Sequence, residues 1–445
     1  MISDPLILFI AMVIILFSFL LSGLWIGFSL FATGALTMLL YNFSLPPTIS
    51  IWSKIGGLIA NSSWNSLDSW SLVALPLFIF MGEILYHTDI SSKLFNGLLP
   101  WFSKVPGRLL HINVVACSLF AAVSGSSAAT TATVGKITLN ELQKRGYSKS
   151  LSVGSLAGAG TLGFLIPPSL IMIIYGVMSN VSIGKLFIAG IIPGLMLGFL
   201  YSSYIAVSSI LKPDIVPASE EKSYSAKEKL KSIGNLAPVI ILILFVLGSI
   251  YLGFATPTEA AALGVLGSLI IAALFRNLTL KNFTVSLTSA IKTTAMISFI
   301  MMGAAFLSQV AGFTQISRSL SLYVAHSHLS PYALLAIVGF MYLLLGAILD
   351  GVSMVVMTTP IILPIMQQAG FEALWFGIFL VIMVELAQIT PPVGFSLFVI
   401  EGISNEKVGN IIKYSFPFFM IMLFVVVILA LFPQIVYFLP NHMIK

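Results

Sequence analysis

The chain has 445 residues, 58% hydrophobic and only 8% charged, with a mean hydropathy of +1.06, whereas a soluble domain carries roughly a quarter charged residues. That balance excludes a soluble globular domain and reads as an all-α polytopic membrane protein. Its 35 glycines and 12% aromatic residues suit close helix contacts and interfacial anchors, and the alternating strands of a membrane barrel are not seen. The formal net charge of +6 lies in short loops, so it follows the positive-inside rule and does not point to nucleic acid.

In chain order, apolar stretches at 5–21 and 23–41 are each near the length that crosses a bilayer. No cleavable leader is expected, because Met1-Ile2-Ser3-Asp4-Pro5 lacks a positive n-region. Asn42 to Trp70, with Pro46-Pro47 and three tryptophans, reads as an interfacial segment on the outer side. The run at 71–86 then returns to a loop holding Lys93, Lys104 and Arg108, which charge places inside.

The runs at 109–123 and 127–139 flank Ser124-Gly125-Ser126-Ser127. Each is too short to cross about 30 Å of hydrocarbon at roughly 1.5 Å per residue. Lys104 and Arg108 precede them, and Lys136, Lys144, Arg145 and Lys149 follow, so both outer ends belong on the same side. These features predict a re-entrant helical hairpin over 109–139, entering from the cytoplasm with its tip buried in protein or facing a wet cavity. The stretch 150–180 is long enough to cross but is interrupted by Pro167-Pro168, which cannot continue a helical hydrogen-bond ladder, so a broken transmembrane helix is expected. A span at 184–211 leads to a mixed-charge cytoplasmic linker, 212–235, which separates a first repeat (1–211) from a second (236–445). Cys117 is the single cysteine and cannot form an internal disulfide.

The second half repeats the plan. Spans at 236–253 and 257–276 are joined by Thr256-Pro257-Thr258-Glu259, a capping box with proline at the first helical position. A long segment, 282–311, precedes a hairpin over 332–366 around Gly351, a broken helix over 373–400 at Thr390-Pro391-Pro392, and a last span at 411–432. Gly125 to Pro167 is 42 residues and Gly351 to Pro391 is 40. About five crossings plus one hairpin per half would invert the second half relative to the first and leave both termini periplasmic. That is the inverted-repeat plan of secondary transporters, with the site near the midplane where broken helices meet.

These residues also carry a family resemblance. Ser124-Gly125-Ser126-Ser127-Ala128-Ala129-Thr130, Gly158-Ala159-Gly160-Thr161-Leu162-Gly163 running into Pro167-Pro168-Ser169, Thr256-Pro257-Thr258-Glu259-Ala260 and Thr390-Pro391-Pro392-Val393-Gly394 resemble the large membrane subunit of a tripartite ATP-independent periplasmic (TRAP) transporter. The likeness covers essentially the whole chain, and the order and spacing of the motifs make it specific. It implies a separate small membrane subunit and a periplasmic substrate-binding protein as partners, because no small-subunit helices are seen before the first span. It further implies sodium-driven uptake, across the bacterial inner membrane, of an organic acid such as a C4-dicarboxylate, a sugar acid or sialic acid. The motion would be an elevator movement, without cofactor. By the resemblance, one sodium lies between the first tip (Ser124, Ser127) and the first broken helix (Gly163, Ile166, Pro168). A second lies between Gly346 and the second broken helix (Ala387, Thr390, Val393), where Ala387 stands in place of the family's more usual glycine.

Physical chemistry supports such sites. Unwound backbone offers carbonyl oxygens, and Ser and Thr hydroxyls add neutral ligands, which suits a hard cation. Helix N-termini at the same breaks offer N–H groups to an anion. Ser126, Thr130, Ser169, Ser353 and Ser396 are the hydroxyls best placed for substrate, each equally open to a helix-packing reading. Among intramembrane acids, which are functional candidates by default, Asp350 adjoins the second tip and Glu83 reads as a packing residue. Glu385 is open between proton coupling and structural pairing. His326 and His328 have no carboxylate or cysteine at metal spacing. No His-Glu-x-x-His or phosphate-binding glycine loop occurs, which argues against an intramembrane protease and an ATP-driven pump, and no enzymatic activity is expected. A stand-alone sodium/anion symporter shares the hairpins and broken helices and is the alternative transporter; a scaffolding role is the non-transport one.

Overall fold

The computed structural model describes residues 4–41, 50–88, 90–217, 224–326, 329–391 and 394–443. Val393, Pro392, His328 and the Pro46-Pro47 pair lie outside the described residues. Among the described residues the chain is all-α, with twenty α-helices and no strand.

α1 (Pro5–Leu21) starts on proline behind Asp4, whose carboxylate accepts from the Leu6 amide at 2.8 Å. α2 (Ile26–Leu40) follows. The stretch expected to be merely interfacial contains a helix, α3 (Ile51–Leu67), and the chain bends by 62° between it and the helical run from Trp70 that becomes α4 (Ala74–Tyr86). Trp52, Trp64 and Trp70 are exposed, as expected of anchors at a membrane boundary. α5 (Ile90–Phe102) leads to the first hairpin, α6 (Leu110–Ser124) and α7 (Ser127–Lys144). α8 (Lys149–Thr161) and α9 (Leu170–Ser179) form the first broken helix, and α10 (Ile183–Leu211) closes the first half.

α11 (Ala226–Tyr251) begins inside the expected 212–235 linker, because Ser225 and Glu228 close a capping box there. α12 (Pro257–Leu274) carries the capping box read from the sequence, with Thr256 and Glu259 bonded reciprocally. α13 (Leu280–Phe313) and α14 (Ile316–His326) precede the second hairpin, α15 (Pro331–Leu345) and α16 (Gly351–Gln368). The second broken helix is α17 (Ala373–Gln388) and α18 (Phe395–Ser404), followed by α19 (Val408–Leu431) and α20 (Gln434–Asn441). Among the described residues, six single helices, α10 to α13, α16 and α19, are long and apolar enough to cross a membrane.

Two contacts fix how the broken helices lie. Lys149 Nζ, at the start of α8, bonds Glu406 Oε1, just beyond α18, at 2.8 Å. At the opposite end, Tyr175 Oη on α9 donates to the Ala373 carbonyl at the start of α17, at 2.6 Å. The two broken helices therefore run antiparallel, with their breaks between the two pinned ends. Their first helices, α8 and α17, are buried on every side, with all of 151–161 and 375–388 buried, which is why neither shows an amphipathic stripe. Small residues on α8 let α19 approach: a Cβ added at Gly158 would lie 2.7 Å from Phe418 Cβ.

The Lys149–Glu406 pin is pH-sensitive. Hydrogen bonds from Lys149 and then Asn410 hold the Glu406 carboxyl below the usual carboxylate range. Its stabilisation is present above the unfolded value, about 4.3, and is lost as pH falls through the lower folded value. Glu406→Gln is expected to lower the thermal midpoint modestly at pH 7, with the two proteins converging below about pH 4. Thermal unfolding in detergent at both pH values measures this.

Candidate functional site

The first hairpin tip is built on a single left-handed residue. α6 ends at Gly125, φ 58°, and a Cβ there would both strain the backbone and lie 3.0 Å from the Pro168 carbonyl oxygen. Ser126 then caps α7, its Oγ accepting from the Ala129 amide at 3.4 Å. Ser124 Oγ and Thr130 Oγ1 bond across the tip at 2.9 Å. Ser127, fully buried, donates from Oγ to the Gly160 carbonyl at 3.1 Å.

The first break lies flat against that tip. A Cβ on Gly163 would lie 2.7 Å from the Ser127 amide nitrogen, and the Leu170 amide reaches the Gly125 carbonyl at 3.5 Å. Residues 162–169 turn through tight bonds, with the amides of Phe164 and Leu165 donating to Thr161 and Leu162 at 3.2 Å each. Pro167-Pro168 is a cis peptide, and Ser169 caps α9 through the Met172 amide at 3.4 Å. The carbonyls of Ser124, Gly163, Ile166 and Pro168 accept no backbone hydrogen bond from the described residues. Such carbonyls need another partner inside a bilayer.

The second hairpin repeats the arrangement with different chemistry. α15 ends at Gly346, and Asp350 caps α16, accepting from the amides of Val352 at 3.0 Å and Ser353 at 3.2 Å and from the Ser353 hydroxyl. The acid singled out from the sequence is thus committed to the helix N-terminus, which its charge favours. Gly346 faces Ala387 so closely that an added Cβ would overlap the Ala387 Cβ and lie 3.0 Å from its Cα. The alanine is accommodated because its neighbour is glycine. Thr390 Oγ1 donates to the Leu386 carbonyl at 2.7 Å, and the Thr390 amide bonds Ala387 at 3.2 Å. Gly394, φ 31°, starts α18.

Ser124, Ser127, Gly163, Ile166 and Pro168 are therefore brought together by the first tip and break, and Gly346, Ala387 and Thr390 by the second. Thr130, Ser169, Ser353 and Ser396 are buried, Ser126 is half-buried, and the Ser396 hydroxyl has no partner among the described residues. Glu83 is a partly exposed residue near the end of α4, 3.9 Å from His87. One residue was missed. Phe164 joins the halves, since a Cβ on Gly351 would lie 3.1 Å from its ring and 2.7 Å from Val384. Glu385, left open between proton coupling and structural pairing, is fully buried on α17, and no sequence signal pairs positions so far apart.

The family description "Tripartite ATP-independent periplasmic transporter, DctM component" matches residues 13–435. The chain belongs to this TRAP transporter family. It is accordingly a multi-pass membrane transport component and not an enzyme. It is 33% identical over 414 residues to the C4-dicarboxylate TRAP transporter large permease protein DctM of Pseudomonas aeruginosa, covering 93% of this chain and 94% of that protein. It is 29% identical over 426 residues to the sialic acid TRAP transporter large permease protein SiaM of Vibrio cholerae, covering 95% and 96%. Its fold is similar to the crystal structure of the Alcanivorax borkumensis YdaH transporter, with a TM-score of 0.60 at 12% identity, covering 91% of this chain and 96% of that one.

Proposed function

We propose that this TRAP permease is the large inner-membrane subunit of a sodium-driven system for uptake of an organic acid. It works with a small membrane subunit and receives substrate from a periplasmic binding protein. The observation that carries the reading is the pairing of each hairpin tip with a break in an antiparallel partner, leaving the carbonyls of Ser124, Gly163, Ile166 and Pro168 without backbone donors. Oxygen-only ligands of this kind suit a hard monovalent cation, with the Ser127 hydroxyl as a further ligand. Gly346, Ala387 and Thr390 form the counterpart site, to which the family resemblance adds Val393.

The helices α7, α9, α16 and α18 all start at these tips and breaks. Their N-termini favour an anion electrostatically, and Ser126, Thr130, Ser169, Ser353 and Ser396 add hydroxyls, with Asp350 fixing the head of α16. No arginine occurs in 162–169 or 389–394, which fits selectivity delegated to the binding protein. The relatives named for C4-dicarboxylate and sialic acid support a carboxylate substrate. Both termini lie in the periplasm, and the two hairpins with their broken helices move as one elevator body. Proteoliposomes holding both membrane subunits test this. Uptake should require both the loaded binding protein and an inward sodium gradient. Full uptake of free substrate would replace the tripartite reading with a stand-alone symporter, and no flux under any condition would overturn transport.

A further inference from the structure

We infer that Glu385 is a positioning residue: from the second broken helix, its carboxyl latches the peptide N–H groups of the first break. Glu385 lies on α17 with no accessible surface, and neither carboxyl oxygen completes a hydrogen bond of ordinary geometry with a described group. Its neighbour Val384 and the Phe164 ring both border Gly351, which brings this part of α17 against the first break, with the amides of Leu165 and Phe164 close enough to the carboxyl to act on it. Both amides are otherwise held only by 3.2 Å turn bonds to Leu162 and Thr161. They can be shared with a second acceptor.

The surroundings single out this role. Tyr201 on α10, also fully buried, neighbours Glu385 and approaches Thr161, and its hydroxyl likewise completes no bond of ordinary geometry with a described group. A polar island of a carboxyl, a phenol and two peptide N–H groups thus sits where both broken helices and α10 meet. Leaving an acid there is costly unless its oxygens are used, and a methionine of similar length would fill the space without that cost. The neighbours of Glu385 serve the other half of the site: Val384 touches Gly351, Leu386 accepts from Thr390, and Ala387 faces Gly346. One residue of α17 reaches across while those beside it hold the second tip and break. The carboxyl therefore sets the position of the Gly163-to-Pro168 backbone from the opposite repeat.

This rests on the reading of that backbone as a sodium site, and the test separates the two. In the assembled transporter, Glu385→Met keeps the volume and removes the acceptors, whereas Glu385→Gln keeps an acceptor oxygen. The first is expected to speed amide exchange across 162–170 about tenfold and to raise half-saturating sodium about tenfold; the second should stay within about twofold on both. Equal behaviour of Met and Gln variants would make Glu385 a packing residue and overturn the latch. If uptake by the unsubstituted protein is indifferent to sodium, the sodium reading fails, and exchange at 162–170 still decides the latch. Should Glu385→Met not fold, Glu385→Asp, which withdraws the carboxyl by one methylene, should show the same faster exchange, and unchanged exchange would overturn the latch.

Discussion

Gly346→Ala is expected to cut uptake by about 100-fold, the loss that follows when a small displacement misplaces the groups of a site. Gly346 has φ −67°, a conformation alanine adopts freely, so the effect is steric and not conformational. The added Cβ would occupy the position of the Ala387 Cβ and lie 3.0 Å from its Cα. Neither atom is the end of a flexible side chain, so relief requires the tip and the break to separate. Overpacking of this kind costs about 1–3 kcal/mol, which a large membrane protein tolerates, but the separation moves the Gly346 carbonyl away from Thr390. The single variant should therefore insert and purify normally while failing to transport. Adding Ala387→Gly removes the opposing methyl and should restore uptake to within about tenfold of the starting level, since coupled neighbours are non-additive. Proteoliposome uptake by the two single variants and the double variant measures it. Normal uptake by Gly346→Ala would show that this contact does not hold the working geometry.

How much of this was legible in the sequence depended on whether the cause was local. Pro167-Pro168 and Thr390-Pro391 announced the breaks because proline lacks the N–H that a helix needs. Thr256 and Glu259 announced the start of α12 because a capping box spans only four residues. Asp350 was readable too: an aspartate just before a helix is an N-cap signal, and the structure uses it so, although its place in an apolar segment drew attention to substrate instead. α3 was missed as a helix because Asn, Ser, Gly and Trp dilute its apolar pattern; it packs against α13, and packing supplies what propensity does not. α7 runs to Lys144, past the expected end at 139, since a helix can leave hydrocarbon without ending. Phe164 and Val384 both border Gly351 across some 220 positions of chain, and nothing local encodes that meeting.

Ser127 should separate the two contributions to the first site, shape and ligation. Its hydroxyl is buried and donates to the Gly160 carbonyl at 3.1 Å, which leaves the oxygen lone pairs free for a cation. Ser127→Ala keeps the shape and removes that ligand. Interactions of hydroxyls with charged groups are worth about 1.5–3 kcal/mol, so half-saturating sodium should rise by roughly one to two orders of magnitude. The maximal rate at saturating sodium should change little, because the empty position can be wetted or closed without moving the backbone. Ser127→Leu is expected to abolish sodium-dependent uptake altogether, because Gly163 lies directly against this residue and has no side chain to yield. Thr390→Leu should do the same at the second site, where the Thr390 hydroxyl already bonds the Leu386 carbonyl. Ser118→Ala is the control: that hydroxyl also bonds a helix carbonyl, Val114 at 2.8 Å, but lies more than a turn before the tip. A sodium response in Ser127→Ala no different from that of Ser118→Ala would remove the hydroxyl from the site. Retained sodium dependence in both leucine variants would remove the cation from both tips.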